Sequence, residues 1–113
     1  MLGDKLIKVT DAVAAAIKET QEYRDFTQQK KAVKSDPEVK HLIEHARSVQ
    51  IRLMDIPEDQ RNSDYAESLQ DEYEEITENT AVYEYLRAES VYISLIQEVL
   101  GTVIENIDID IDF

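Results

Sequence analysis

The clearest pattern in the chain is a repeat of apolar side chains at spacings of three and four over residues 82–107. One heptad position holds Leu86, Ile93, Leu100 and Ile107, and the other holds Val82, Ile96 and Val103. Glu89 occupies the second position and places one carboxylate in the apolar seam. A helix with so many apolar positions is buried on more than one side, and a short chain has few elements to cover it. The pattern therefore predicts a long, coiled-coil-like helix that is shared with a partner chain.

Weaker amphipathic patterns predict two helices at the start of the chain. Residues 4–19 form the first, with its apolar positions at Leu2, Leu6, Val9, Val13 and Ala16. Thr20 is a candidate cap for a second helix that runs to about Lys34. Lys30, Lys31 and Lys34 gather at the end of that helix, where its dipole favours positive charge.

Stop and start signals place two more helices in the middle of the chain. Asp36-Pro37-Glu38 combines a cap, a proline at the first helical position and an acidic first turn. The helix that begins there ends at Ile56, because the residue before a proline is biased away from helical geometry. After a polar loop, residues 64–78 carry a thin apolar stripe on a strongly acidic helix, which we expect to be the most exposed helix of the protein. Asn79 or Thr80 then caps the fifth helix.

These patterns together predict an all-α fold with about five helices in an antiparallel bundle. Two glycines and two prolines are too few for the turns of a multi-stranded sheet. The length fits one helical domain, which we place at residues 1–106. Residues 107–113 alternate isoleucine and aspartate up to a final phenylalanine and form a short acidic and apolar tail. The tail is either disordered or packs the side that carries Ile109, Ile111 and Phe113 on a helical groove.

The charge of the chain is large, negative and unevenly distributed. The net charge is −13, which disfavours direct binding to nucleic acid or to an anionic membrane. Residues 18–54 carry 8 basic and 6 acidic groups, whereas residues 55–89 carry 2 basic and 12 acidic groups. This asymmetry indicates either charge complementarity between neighbouring helices or an acidic surface for a basic partner. The candidate partner-facing residues are Asp71, Glu72, Glu74 and Glu75.

Candidate chemistry is sparse, and we expect no catalytic, cofactor or metal site. Without cysteine the chain has no thiolate ligand or nucleophile. His41-Leu42-Ile43-Glu44-His45 has the spacing of an inverted zinc-protease motif, but those enzymes need a third ligand and a larger cleft. A solvated helix face is the simpler interpretation. The aspartates at 108, 110 and 112 lack the glycine and distal glutamate of a calcium loop.

The start of the chain does not resemble a signal peptide, because Asp4, Lys5 and Lys8 interrupt any apolar region. No segment approaches the roughly 18 apolar residues of a membrane span. We therefore expect a cytoplasmic protein that is not bound to a membrane.

The candidate oligomer interface follows the heptad seam of the fifth helix. It comprises Leu86, Glu89, Ile93, Ile96, Leu100 and Val103. Glu89 either reaches solvent at the edge of the seam or forms a buried pair with an arginine that fixes the register of two helices.

Four motifs in the same order resemble the YlbF/YmcA family of small bacterial helical proteins, including its YheA-like branch. The resemblance covers about residues 6–104. Its motifs are Leu86-Arg87-Ala88-Glu89 with Leu95-Ile96-Gln97-Glu98-Val99, Ala16-Ile17-Lys18-Glu19-Thr20-Gln21-Glu22-Tyr23, Asp36-Pro37-Glu38, and Ser48-Val49-Gln50-Ile51-Arg52-Leu53.

The resemblance implies a cytoplasmic, non-enzymatic protein that self-associates as a homodimer or larger oligomer. Better-known members regulate competence, biofilm formation and sporulation with partner proteins, by assisting an endoribonuclease that matures messenger RNA. Some members carry a cysteine-rich tail associated with iron–sulfur binding, which this chain lacks. The resemblance thus predicts a regulatory adaptor whose partners are itself and other family members or an endoribonuclease. The alternative is an autonomous structural homo-oligomer with no link to RNA processing.

Overall fold

The computed structural model describes residues 1–107, and this part of the chain is helical without a β-strand. Its five α-helices confirm the predicted all-α class. They are α1 (Asp4–Lys18), α2 (Gln21–Lys34), α3 (Pro37–Met54), α4 (Asp64–Thr77) and α5 (Thr80–Ile107). The predicted tail lies outside the described residues from residue 108 onward, and the domain boundary at residue 106 stays a prediction.

Side-chain caps fix the starts of four helices. Thr20, Asp36 and Asn79 each accept a hydrogen bond from the backbone N–H three residues later, at 3.2, 3.3 and 3.2 Å. Ser63 caps α4 in the same way at 3.2 Å. Each bond satisfies a backbone donor that the first helical turn leaves unpaired. The predicted caps at Thr20 and Asp36 are confirmed, and Asn79 is the cap of α5.

The end of α3 differs slightly from the prediction. The helix stops at Met54, two residues before the predicted Ile56, and the predicted polar loop contains a short 3₁₀ turn at Glu58–Gln60. Ile56 lies outside the helix and is only 7% exposed, so its side chain covers the core. Pro57 enforces this exit because it disfavours helical geometry at the residue before it.

The chain divides into two compact units, and we name each by its place in the sequence. The core unit comprises Gln29–Arg87, and the terminal unit comprises Met1–Gln28 together with the described residues from Ala88 onward. Both α2 and α5 pass from one unit to the other along their length.

The core unit contains every buried apolar side chain of the described residues. They are Val39, Ile43, Ala46, Val49, Ile56, Ala66, Leu69, Ile76, Val82 and Tyr85. Val49 and Val82 are completely buried. The chief contact is between α3 and α4, which form a helical hairpin, and the first turns of α5 add Val82 and Tyr85.

The expectation that the fourth helix is the most exposed is wrong. Ala66, Leu69 and Ile76 of α4 are buried, whereas α1 and α2 bury no residue. The thin apolar stripe of α4 suffices because the apolar stripe of α3 covers it directly. Most of the acidic side chains of α4 are exposed and do not prevent this packing.

The terminal unit is held by aromatic contacts and has no buried residue in its described part. The ring of Tyr92 on α5 stacks on Phe26 of α2, with ring centroids 5.0 Å apart and planes inclined by 16°. The ring of Tyr23 meets the ring of Tyr92 edge-on, with centroids 5.8 Å apart. Such pairs stabilise by about 0.5–1.5 kcal/mol beyond the burial of their area.

None of the helices in the described part of the chain combines the length and apolar character that a bilayer crossing requires.

Candidate functional site: exposed apolar helix faces

The first candidate surface is the apolar face of α1, which Leu6, Val9 and Val13 form. These side chains are 55%, 51% and 37% exposed. Their spacings of three and four place them on one side of the helix, and Leu2, just before the helix, continues that side. Six of the other twelve positions of α1 are polar, so α1 has the amphipathic pattern of a packed helix although no residue of it is buried.

The second candidate surface is the apolar face of α5, formed by Ile93, Ile96, Leu100, Val103 and Ile107. Ile96 is half-buried and the other four are exposed by 45% or more. The face repeats every seven residues in two registers, a spacing that is typical of coiled-coil helices.

The six predicted interface residues are divided between the two units. Leu86 is half-buried in the core unit, and Glu89 is half-buried at the start of the terminal segment of α5. Glu89 also has an interaction partner within the chain. Ile93, Leu100 and Val103 are exposed and, with Ile96, belong to the apolar face of α5. Four of the six predicted residues therefore share the apolar face of α5, whereas Leu86 and Glu89 are half-buried outside it.

The exposed apolar side chains concentrate in the terminal unit. Of the 16 large apolar side chains that are exposed among the described residues, 12 belong to this unit. Isolated apolar side chains on a surface are common, whereas contiguous patches mark interaction sites. The apolar faces of α1 and α5 are therefore the best candidate functional surfaces of the molecule.

The predicted partner-facing acids are also separated by the structure. Asp71, Glu74 and Glu75 are exposed on one side of α4, which we call the acidic face. Glu72 is half-buried, and its Oε1 atom lies 2.6 Å from Nε2 of His45 on α3. Glu72 therefore contributes to the contact between α3 and α4.

The histidine motif of α3 does not bring three metal ligands together. His41, Glu44 and His45 are all exposed, and residues 1–107 contain no cluster of three histidine, aspartate or glutamate side chains that could hold a metal ion. The contact of His45 is instead with Glu72.

The core unit also contains a pocket that the sequence patterns did not predict. Basic side chains from α2 and α3 line it together with the ring of Tyr85. Lys40 is the residue that could have indicated it. It lies near the start of α3, where the helix dipole disfavours a positive charge, so the dipole does not explain its presence.

Comparison with known proteins assigns the chain to a family. A family model described as "Control of competence regulator ComK, YlbF/YmcA" matches residues 6–108. The chain belongs to the YlbF/YmcA family. The match includes both candidate apolar faces and the whole core unit.

One relative in the YlbF/YmcA family supports the same assignment. A UPF0342 protein of Symbiobacterium thermophilum is 25% identical over 104 residues, which cover 90% of this chain and 93% of the relative. No solved structure matches the chain significantly. The description of the YlbF/YmcA family is that of a regulator, and membership supports a regulatory role.

Proposed function

We propose that this protein is a non-catalytic regulator that acts through protein–protein contacts. In this proposal the protein associates with a second copy of itself through the apolar faces of α1 and α5, as a homodimer or a larger oligomer. The acidic face of α4 then contacts a basic partner protein. The observation that carries the proposal is the concentration of exposed apolar side chains in the terminal unit.

The energetics of burial favour self-association on these faces. Complete burial of a leucine or isoleucine side chain contributes about 1.5–3 kcal/mol, so covering a half-exposed one contributes about 1 kcal/mol. The two faces carry many such side chains on helices that are already formed. A matching face on a second copy can cover them by knobs-into-holes packing, because the heptad pattern is the same in both copies.

The regulatory part of the proposal rests on family membership. The YlbF/YmcA description names control of competence. The resemblance of the sequence motifs extends this to biofilm formation and sporulation, through assistance to an endoribonuclease. We include this link in the proposal and predict that the partner is an endoribonuclease or another family member in the cytoplasm.

A pair of charge substitutions in the α5 face tests self-association. Ile93→Asp with Ile96→Asp places two carboxylates in the seam, where burial without a partner is unfavourable. We expect this variant to sediment as a monomer at concentrations where the unchanged protein is an oligomer. The matched control is Ile51→Asp with Met54→Asp, which makes similar changes at the same spacing on exposed positions of α3. An unchanged oligomer in the α5 variant, or dissociation in both variants, would contradict the assignment.

Affinity purification of a tagged copy from its native cell tests the partner. Mass spectrometry should identify an endoribonuclease or other family members, with less recovered as salt screens the acidic face. The variant Asp71→Lys with Glu74→Lys and Glu75→Lys should lose the partner. The control reverses Asp55, Glu58 and Asp59, three exposed acids outside α4, and should retain it. Recovery of the protein alone, as an intact oligomer, would instead support an autonomous structural oligomer.

A further inference from the structure

The core unit contains a pocket of about 330 Å³ between the last turns of α2 and the part of α3 from Lys40 to Arg47. Lys30, Lys34, Lys40 and Arg47 surround it, and all four side chains are exposed at its mouth. Val33, Ile43 and Tyr85 provide an apolar floor. We call this the cationic pocket. Its volume is at the lower end of the range in which proteins bind ligands.

The charge of the cationic pocket is opposite to that of the molecule. The chain carries a net charge of −13, yet four of its 12 basic side chains line this one pocket and only one carboxylate, Glu44, joins them. Within residues 1–107, the ammonium groups of Lys30, Lys34 and Lys40 form no ion pair with a carboxylate. The positive charge of these three lysines is therefore available to an external anion.

The helix dipole explains only part of this charge. Lys30 and Lys34 lie at the carboxyl end of α2, where a positive charge is stabilised. Lys40 lies near the amino end of α3, where the same dipole disfavours a positive charge. The positive charge of Lys40 is therefore disfavoured both by the dipole of α3 and by the neighbouring lysines of α2. A bound anion would compensate for this.

The floor of the pocket is ordered. Ile43 is 4% exposed and Tyr85 is 8% exposed, so both are fixed by the core. The Nη2 atom of Arg47 lies 3.4 Å from the hydroxyl oxygen of Tyr85, and its guanidinium carbon lies 5.9 Å from the centre of the Tyr85 ring. These contacts hold Arg47 in a defined position beside the ring of Tyr85 at the edge of the floor.

From this arrangement we propose that the cationic pocket binds an acidic peptide segment of a partner protein, with carboxylates on the basic rim and one apolar side chain on the floor. Carboxylates that are spaced along a peptide can reach basic groups on two helices, and the small floor accommodates a single aliphatic or aromatic group. A long nucleic acid is a poorer fit, because the surrounding acidic charge repels a polyanion. The proposal does not depend on self-association, since the pocket lies entirely in the core unit.

Fluorescence anisotropy with the full chain and a labelled peptide of sequence Glu-Phe-Glu-Leu-Glu tests this site. We expect saturable binding that weakens about tenfold or more in Lys34→Gln with Lys40→Gln, because two charge contacts are removed. The matched control is Lys5→Gln with Lys8→Gln, which removes two lysines of α1 and should leave the affinity within about twofold. Circular dichroism should be unchanged in both variants, because all four lysines are exposed.

Two further probes separate the pocket from general attraction between charges. The peptide Glu-Gly-Glu-Gly-Glu has the same acidic side chains without an apolar group, and we expect it to bind at least about tenfold more weakly. A single-stranded RNA of five nucleotides should not compete. Equal affinity for the two peptides, equal weakening in the two double variants, preference for RNA or absence of binding would each overturn the proposal. Neither probe requires an oligomer, so failure here leaves the proposed self-association to its own test.

Discussion

The core unit and the terminal unit use the same kind of amphipathic helix but cover it to different extents. In the core unit, apolar stripes of α3, α4 and the start of α5 meet, and ten side chains are buried. In the terminal unit, the stripes of α1 and α5 are as regular, yet most of their side chains are exposed. Since burial of apolar area drives folding, the comparison separates a part of the chain that completes its own core from one whose apolar side chains stay exposed, as the proposed self-association requires.

The largest effect should come from a charge in the centre of the core unit. Val49 is completely buried, and Val49→Asp places an unpaired carboxylate there, which should cost about 3 kcal/mol or more and unfold the core unit. Ile51→Asp, two residues later on α3, changes a side chain that is 60% exposed and should stay within about 0.5 kcal/mol. Urea unfolding followed by circular dichroism measures both variants. Equal destabilisation would remove the distinction between a packed and an exposed side of α3.

A pair of leucines compares the two units directly. Leu69 in the core unit is 3% exposed and Leu100 on the α5 face is 56% exposed. Leu69→Ala should reduce the free energy of unfolding by about 3 kcal/mol at every protein concentration. Leu100→Ala should leave the melting temperature of the dilute protein almost unchanged. It should also reduce the increase in melting temperature that a higher protein concentration causes, because association stabilises the folded state. Calorimetry over a hundredfold range of concentration distinguishes these results, and a concentration-independent melting temperature in the unchanged protein would count against self-association.

Removal of the α4 cap should have a smaller effect that is limited to the core unit. Ser63→Ala deletes the hydroxyl that accepts from the backbone N–H of Ala66, and it should cost about 1 kcal/mol. Ser68→Ala, an exposed position inside the same helix, should be neutral or slightly stabilising, since alanine is the better helix former. Chemical denaturation gives both values. A cost at Ser68 that equals the cost at Ser63 would show that the cap hydrogen bond is not the cause.

The smallest effect should come from the contact of His45 with Glu72. Both side chains are more than one third exposed, so solvent screens the pair and His45→Ala should change stability by about 0.5 kcal/mol or less. Glu72→Gln should have a similarly small effect. A loss of several kcal/mol in either variant would show that this polar contact, rather than the apolar stripes, holds α3 to α4.

The sequence predicted the helices well because their start and stop signals are local. Asp36-Pro37-Glu38 and the cap at Thr20 depend on residues within one helical turn, and the structure has helices where these signals place them. Exposure was harder to predict. Both α1 and α4 are amphipathic, and only the position of a covering helix decides which is buried.

The candidate surfaces were predictable to the extent that they lie on one helix. The seam at Ile93, Leu100 and Val103 follows from spacing alone, and these residues share one exposed face. The contact of His45 with Glu72 spans 27 positions, and the cationic pocket combines α2 and α3 with Tyr85. Both depend on how helices pack, so spacing along one helix could not place them, and Lys40 near the start of α3 was the only local signal for the pocket.

The uninterrupted run of α5 has a further consequence for the order in which the protein assembles. Starting a helix is unfavourable because several residues are fixed before the first hydrogen bond forms, whereas each added residue then gains one bond. Asn79 caps α5, and Val82 and Tyr85 bury its first turns in the core unit, so this end supplies a stable place for the helix to nucleate. The exposed portion of α5 then grows by propagation, and in the proposed self-association it would meet a second copy as a helix that is already formed. If the proposed self-association occurs, most of the ordering entropy of the α5 face is already lost during folding, and little of it is left to oppose association.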